Sequence, residues 1–370
     1  MENKKLNIAQ VLPSLQSGGV ERGTLEIANY LVKKGHGSYV ISSGGRLVEE
    51  LEKKGSRHLN ISIDKKSIFT FLVIPKIIKF FLKNKIDIVH VRSRFPAWII
   101  YLALFFISKD KRPFFVTTVH GFNSISSYSK IMTKGDKVIV VSNFIKNFII
   151  DTYGVDKKKL CMIHRGVPNN LGAKNTRNFI LWKKSFENEY KNLKNKKVLT
   201  ITARLSRTKG IEIFIDLINS ILDLDNNIHG LIVGEAKSNN YLNKLHKKIK
   251  KLNLEKNITI TGYRSDVYNI LQYSYITYCL SEVPEPFGRS VIESIKLGTP
   301  VIAFNHGGAG EQLKEIFPVG MVNFRDFNGL QNKTKSFLKK RPRVLKTNKF
   351  SLEKMREQTL NVYLDLVRQH

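Results

Sequence analysis

Glu285 and Glu293 stand eight residues apart and flank the turn Pro286-Phe287-Gly288-Arg289-Ser290-Val291-Ile292. Two carboxylates so placed can form an acid–base couple on one bond, or each can accept hydrogen bonds from a sugar or ribose diol. The helix expected from about Ser290 to Leu297 contains Glu293 and not Glu285. The pair therefore need not face one bond, and hydroxyl binding is the favoured role for Glu293. A second constellation is Ala203-Arg204-Leu205-Ser206-Arg207-Thr208-Lys209-Gly210. Arg204 and Lys209 fall in a turn between a strand and a helix, where two cations beside a helix N-terminus suit a diphosphate. Lys and Arg supply 62 of the 370 residues, however, so cations here also fit the general basicity. His120-Gly121 closes an apolar strand, and its imidazole either points into a cleft or hydrogen-bonds the local backbone. Gly18-Gly19 either lets the backbone come close to a ligand, since neither residue has a Cβ, or serves the packing of a crossover.

Other patterns point away from their chemistry. Asp223-Leu224-Asp225 has a spacing used for divalent metal, but it ends a helix just before Asn226-Asn227, which reads as a solvated turn. His306-Gly307-Gly308 is like a hydrolase oxyanion loop, yet the chain has no Gly-x-Ser-x-Gly turn and no His-Glu-x-x-His. Neither hydrolysis nor a metal site is expected.

These residues need elements to hold them. Tyr275–Leu280 reads as a strand, Ser290–Leu297 as a helix stopped by Gly298 and Pro300, and Val301–Phe304 as the next strand. The loop of that βαβ unit lies at the carboxyl end of a strand, where open α/β sheets bind ligands. Upstream, strands are expected at Leu6–Leu12, Tyr39–Ser42, Ile86–Val91, Phe114–Val119 and Val138–Val141. Helices are expected at Glu21–Lys34, Arg46–Lys54, Pro96–Ile107 and Phe144–Tyr153. After a polar linker, Pro168–Arg177, comes a charged helix near Phe179–Leu193. Alternation then resumes with strands at Val198–Ala203, Gly230–Val233 and Ile258–Thr261, and helices at Ile211–Leu222 and Tyr241–Leu252. Sustained alternation implies parallel, doubly wound sheets, and two similar α/β domains with a cleft between them follow. Ile68–Lys83 mixes Phe, Leu and Ile with Lys76, Lys79 and Lys83. It reads either as a helix lying in a membrane interface or as a sheet-covering helix with a solvated basic face.

A chain of 370 residues exceeds one ordinary core, and 42% hydrophobic content supports globular packing. The only cysteines, Cys161 and Cys279, allow neither a disulfide framework nor a cysteine-rich zinc site, which fits a reducing cytoplasm. The net charge of +32 reads as attraction to an anionic membrane surface, or as a composition rich in Lys, Asn and Ile throughout. No aromatic-interleaved basic motif supports nucleic acid as a partner. No cleavage site marks a signal peptide, and the longest apolar run, Ala97–Ile107, falls short of the roughly 20 residues that span a bilayer.

Taken together these pieces resemble the retaining family-4 glycosyltransferases of the GT-B fold over nearly the whole chain. The resemblance rests on Gly18-Gly19-Val20-Glu21, Val141-Ser142-Asn143-Phe144, Ile163-His164-Arg165-Gly166-Val167, Arg204 with Lys209-Gly210, Glu285 through Glu293, and Gly307-Gly308 with Glu311. The segments Val91-Arg92-Ser93-Arg94-Phe95-Pro96-Ala97-Trp98 and Thr118-Val119-His120-Gly121 look like a bacterial branch that builds cell-surface polysaccharide or lipopolysaccharide. The resemblance implies two Rossmann-like domains facing across a cleft: an acceptor domain over 1–170, a donor domain over 171–350, and a helix over 351–370 returning to the first. It implies that Arg204 and Lys209 neutralise the diphosphate of a UDP-, GDP- or ADP-sugar, and that Glu293 holds the ribose. Glu285 and the N–H groups of Phe287 and Gly288 would orient the sugar, with Arg289 in the same loop. Ser290 and Val291 N–H groups would face the phosphates, Tyr263 would lie by the base, and Gly18-Gly19 would line the donor. His120 would contact the sugar across the cleft. It further implies transfer with retention, no metal or cofactor, and a glycan or lipid-linked acceptor; the basic N-terminal face suggests a lipid-linked or anionic acceptor, with the protein cytoplasmic or peripheral on the cytoplasmic face of the inner membrane. The readings set against it are a nucleotide-sugar 2-epimerase or phosphorylase of the same fold, a basic nucleic-acid-binding protein and a catalytically dead scaffold. The Ser-rich loop Asn123–Lys130 and the region Phe317–Asn328 match the family loosely, and they lie where substrate identity would be read.

Overall fold

The computed structural model describes residues 5–16, 18–169, 171, 177–236, 238–345 and 347–368; residues 170 and 172–176 of the expected linker lie outside these. The first part of the chain runs β1 (Asn7–Val11), α1 (Gly19–Lys33), β2 (Gly37–Ser42), α2 (Val48–Lys53), β3 (Arg57–Asn60), α3 (Ile74–Lys83), β4 (Ile88–Val91) and α4 (Arg94–Phe105). It continues with β5 (Phe114–Val119), β6 (Lys137–Val140), α5 (Asn143–Tyr153) and β7 (Leu160–Met162). These strands form one parallel sheet of seven in the order β3-β2-β1-β4-β5-β6-β7. The order reverses between β1 and β4, where Ile8 pairs with Ile88 and Val11 with Val91.

The second part runs α6 (Arg177–Glu189), β8 (Lys197–Thr202), α7 (Ile211–Ile221), β9 (Ile228–Val233), α8 (Asn239–Lys251), β10 (Ile258–Gly262), α9 (Val267–Tyr273) and β11 (Ile276–Cys279). Then come α10 (Arg289–Lys296), β12 (Val301–Phe304), α11 (Gly307–Ile316), β13 (Met321–Val322), α12 (Phe327–Lys339) and α13 (Leu352–Arg368). Its strands form a parallel sheet of six, β10-β9-β8-β11-β12-β13, which reverses between β8 and β11. Both sheets are therefore doubly wound and Rossmann-like.

The chain divides into two compact units, the residues through Gly166 with those from Leu352 onward, and Val167–Ser351. Helix α13 belongs to the first because its apolar stripe, Leu352, Met355, Leu360, Tyr363 and Leu366, packs into the core made by Leu6, Ile8, Ile27, Leu31, Ile88, Val116 and Ile139. The core of the second unit gathers β8, β9, β11 and β12 with α7, through Leu199, Ile201, Phe214, Ile218, Ile232, Tyr278 and Phe304. Central strands buried on both faces explain the near-continuous Val/Ile/Leu runs that made them legible.

Several elements depart from expectation. Strands β3, β7 and β13 were not expected; all three are sheet edges without a fully buried run, so they lack the continuous apolar signal. Ile68–Lys83 is not one helix: Ile68–Val73 is a 3-10 turn and α3 starts at Ile74, with Pro75 in the first turn where a missing N–H costs nothing. Helix α3 buries Ile77 and Phe81, as a sheet-covering helix does. Helices α9, α11 and α12 were also unforeseen; α11 begins in Gly307-Gly308, residues that ordinarily disfavour a helix. Among the described residues no helix is long and apolar enough to cross a membrane.

Candidate functional site

In the second unit the sheet reversal brings together the two constellations that the chain separates by some 80 positions. Strand β8 delivers Arg204 and Lys209 just past its carboxyl end, and its neighbour β11, with Thr277 beside Thr200 and Tyr278 beside Ile201, delivers Glu285. The turn bearing Lys209 is pinned on both sides. Leu205 N–H bonds Glu235 O at 3.0 Å, and Thr208 O accepts from Glu282 N–H at 2.8 Å. Lys209 ends a short 3-10 turn whose successor, Gly210, caps α7.

Lys209 Nζ donates to Glu285 Oε1, and the Ser281 hydroxyl donates to the same oxygen. The Ser281 carbonyl in turn accepts from His306 Nε2 at 2.7 Å. Since a carbonyl only accepts, the proton of His306 sits on Nε2, and burial lowers the pKa of that ring. Arg204 is exposed and makes no hydrogen bond or ion pair with other described residues. Burial, then the Glu285 carboxylate, push the Cys279 thiol up to about 12, so it stays protonated and inert beside the site.

The loop leading into α10 is held by close backbone packing. Gly288 adopts φ +73°, and a Cβ there would meet Ala309 Cβ at 2.9 Å. Gly308 approaches so near that a Cβ would meet Phe287 Cα at 2.6 Å, while its N–H bonds Glu285 O at 2.6 Å. Thus Gly307-Gly308 forms the rear wall of the Glu285–Gly288 loop. Gln312, buried on α11, donates its Nε2 to Phe287 O, and the Phe287 ring packs edge-on against Phe350 at 5.8 Å. The N–H groups of Gly288 and Ser290 donate to no acceptor among the described residues. Val291 differs: its side chain is buried and its N–H bonds Gly288 O at 3.1 Å, so it is already engaged in the first turn. On the next turn Glu293 Oε1 accepts from Arg289 Nε at 2.7 Å and from Tyr268 OH at 3.3 Å. Tyr263 stands exposed after β10, at the same end of the sheet.

In the first unit the remaining sequence candidates lie at the carboxyl end of the other sheet. Gly18 precedes α1 and Gly19 is its first residue; the Gly19 carbonyl accepts from Arg165 Nη2 at 2.6 Å. Arg92, past the end of β4, donates Nη2 to Gln10 Oε1 at 2.7 Å, and Gln10 Nε2 donates to Thr24 O at 3.1 Å. His90 bridges Tyr363 OH at 2.5 Å and Thr118 Oγ1 at 2.6 Å. His120 follows β5, and its Nε2 is buried with no hydrogen-bond partner among the described residues. Desolvation, then the nearby Arg165 and Arg92, hold His120 well below its ordinary value, so the ring is neutral. Arg94 Nη1 donates to Ser124 Oγ at 3.0 Å and Ser129 Oγ at 2.9 Å, and Trp98 Nε1 donates to Tyr128 O at 3.0 Å. The Arg92–Trp98 segment therefore holds both the buried network and the Ser-rich loop after His120.

Ser281, His306, Gln312 and Tyr268 were missed as members of the site. Ser281, four residues before Glu285, offered a local signal; Gln312 and Tyr268 sit in helices whose existence was not foreseen. Asp225 serves the turn it was expected to serve, accepting from Lys197 Nζ at 2.8 Å and Asn227 N–H at 2.8 Å.

Comparison with known proteins matches residues 17–170 to the Glycosyltransferase Family 4 model and residues 183–352 to the Glycosyl transferases group 1 model. A crystal structure of a glycosyltransferase from Rickettsia africae ESF-5 is 32% identical, with a TM-score of 0.86 over 99% of this chain and 100% of that one. Anabaena HepE in complex with UDP and glucose superposes with a TM-score of 0.82 over 96% of this chain and 99% of that one, at 19% identity. The Escherichia coli UDP-Gal:alpha-D-GlcNAc-diphosphoundecaprenol alpha-1,3-galactosyltransferase is 25% identical over 336 residues, 84% of this chain and 82% of that protein. Another curated relative is matched over 38% of its own length. With two doubly wound parallel sheets and both family models in register with them, the chain belongs to the family-4 glycosyltransferases of the GT-B fold.

Proposed function

We propose that the protein transfers a sugar, with retention and without a metal ion, from a nucleotide-sugar donor to a glycan or lipid-linked acceptor in cell-surface polysaccharide or lipopolysaccharide synthesis. The observation that carries the donor assignment is the contact of Lys209 with Glu285 at the sheet reversal, with Arg204 at the start of the same turn and the α10 N-terminus following Glu285, where the Gly288 and Ser290 N–H groups are unengaged among the described residues. Cleavage of an anomeric C–O bond leaves negative charge on the departing diphosphate and positive character on the sugar. Cations and oriented N–H groups fixed beforehand stabilise that charge at no reorganisation cost. In this reading Lys209 leaves Glu285 for the diphosphate, and the freed Glu285 accepts from sugar hydroxyls. Glu293, already steered by Arg289, takes the ribose diol, and Tyr263 takes the base. His120 is assigned to the sugar on the family resemblance alone; its neutral ring is suited to hydrogen bonding. Tethering of a lipid-linked acceptor agrees with the basic chain and with the diphosphoundecaprenol named for the E. coli relative.

The test is a thermal-shift screen of UDP-, GDP- and ADP-sugars, followed by transfer assays with a chelator. A donor well above its dissociation constant is expected to stabilise by a few kcal/mol, and chelation is expected to leave the rate unchanged. Chelation that abolishes transfer, with Mg²⁺ restoring it, would overturn the metal-free mechanism. Isotope exchange at the sugar C2 without transfer would favour the epimerase.

A further inference from the structure

One flank of the first unit joins exposed apolar side chains to a basic groove, and the donor site uses none of it. Before α3, the 3-10 turn leaves Ile68 (78% exposed), Phe69 (74%) and Leu72 uncovered. At the other end of the same flank stand Leu82, closing α3, with Phe105 (76%) and Phe106 (68%), closing α4. Helices α3 and α4 pack side by side, and Phe71 meets Phe95 edge-on at 6.2 Å where both begin. The two apolar tips are thus separated by roughly the 15 Å length of a ten-residue helix. Between them α3 presents Lys76 and Lys79 to solvent. Phe residues this exposed, arranged at two ends of one face, are unlike the scattered apolar side chains of an ordinary surface.

Beside Leu82 opens a groove of about 1040 Å³ lined by Lys85, Lys109, Lys111 and Arg112. The groove also holds three carboxylates: Asp87, which accepts from Asn7 N–H at 2.7 Å, Asp136, which accepts from Phe115 N–H at 2.8 Å, and the exposed Asp110 beside Lys111. Its four cations, Lys85, Lys109, Lys111 and Arg112, outnumber these carboxylates by one, and they stand next to an apolar rim to which α3 adds the exposed Lys76 and Lys79.

We propose that this flank docks on the surface of an anionic phospholipid leaflet, with Ile68, Phe69, Leu72, Phe105 and Phe106 entering the acyl boundary and the lysines and Arg112 meeting phosphate headgroups. Apolar tips flanked by lysines supply the two terms that interfacial binding combines, buried apolar area and attraction to anionic lipid. The inference deepens the proposed function by giving a lipid-linked acceptor its partner surface, but the docking is measured independently of transfer. The unit-two helix α8 supplies the comparison, because its Lys247, Lys250 and Lys251 are equally exposed yet have no large exposed apolar neighbour on that helix.

The experiment is co-sedimentation of the full chain with vesicles of phosphatidylcholine alone or mixed with phosphatidylglycerol, at low and raised salt. Binding to the mixed vesicles is expected to exceed that to neutral ones by about tenfold or more and to weaken with salt. F105S/F106S and, separately, K109Q/K111Q/R112Q are each expected to weaken it about tenfold, while K247Q/K250Q/K251Q changes it less than about twofold. Should F105S/F106S fold poorly, I68S/L72S reads the other tip. Equal binding to both vesicle types, or an α8 variant as damaging as the flank variants, would overturn the proposal in favour of unspecific attraction by net charge. Stabilisation by a sugar nucleotide in every variant keeps this outcome separate from that of the donor site.

Discussion

At the carboxyl end of its sheet the first unit sinks Arg92 and Arg165 below the surface, bonded to Gln10 and to the Gly19 carbonyl. The second unit leaves Arg204 in solvent and Lys209 part-exposed on Glu285. Desolvation first, and then the buried guanidiniums beside them, keep the His90 and His120 rings neutral. Charge that is buried and satisfied fixes shape and field but cannot follow a reacting group. Cations at a surface, one of them held by a single carboxylate, can exchange that partner for an incoming anion. The same fold thus carries a fixed wall in one unit and, in the proposed function, an adjustable anion clamp in the other.

Breaking the clamp should have the largest effect. Arg204→Ala or Lys209→Ala is expected to lower turnover by about 10²–10³ while the unfolding midpoint stays put, as for loss of one preorganised donor. A fall in thermal stability large enough to account for the lost rate would instead make these residues structural. Breaking the wall is a stability experiment. Arg92→Leu leaves the Gln10 side-chain oxygen buried and unpaired, at a cost of about 1–3 kcal/mol in denaturant unfolding, with nucleotide binding retained.

Acid distinguishes the regions next. Burial holds His90 and His120 well below the ordinary imidazole value, and His229, in the core of the second sheet, at about 4. In each case the unfolded chain binds the proton first. Stability is therefore full above about pH 6.5 and declines as pH falls through the window, by up to about 1.4 kcal/mol per pH unit for each ring. For His229 the window runs from 6.5 down to about 4. Unfolding midpoints between these limits should show the slope, and His229→Gln should reduce it by one group's share. A slope unchanged by that substitution would remove His229 from the account. The smallest effect sharpens the clamp: Glu285→Gln frees Lys209 and is expected to tighten binding of a free nucleoside diphosphate by up to about fivefold, while transfer falls.

How much of this was legible follows from where each signal lives. Strand–loop–helix alternation, and with it the carboxyl-end location of Arg204 and Glu285, was readable because central strands bury both faces and leave apolar runs. The contact between Lys209 and Glu285 was not. Nothing local distinguishes a lysine that meets a carboxylate 76 positions away from the many that meet water, and only the pairing of β8 with β11 brings them together. The loop Glu285–Gly288 was visible as a turn, but its rear wall was hidden because α11 starts on glycines that a propensity reading assigns to a loop. Arg92 and Arg94 stood out in the sequence as one segment. The structure separates them into a buried partner of Gln10 and a tether for the loop at Ser124 and Ser129. Edge strands β3 and β7 carried no signal, since half their side chains meet solvent.

The second unit's clamp is proposed to bind the donor diphosphate. Its most direct test is calorimetric titration of the full chain, and of Arg204→Ala and Glu293→Gln, with UDP, GDP and ADP. One nucleotide is expected to bind clearly tighter than the others. Arg204→Ala should then weaken it about tenfold or more, and Glu293→Gln by less, through loss of the ribose contact. Binding of that nucleotide at wild-type affinity by Arg204→Ala would contradict it.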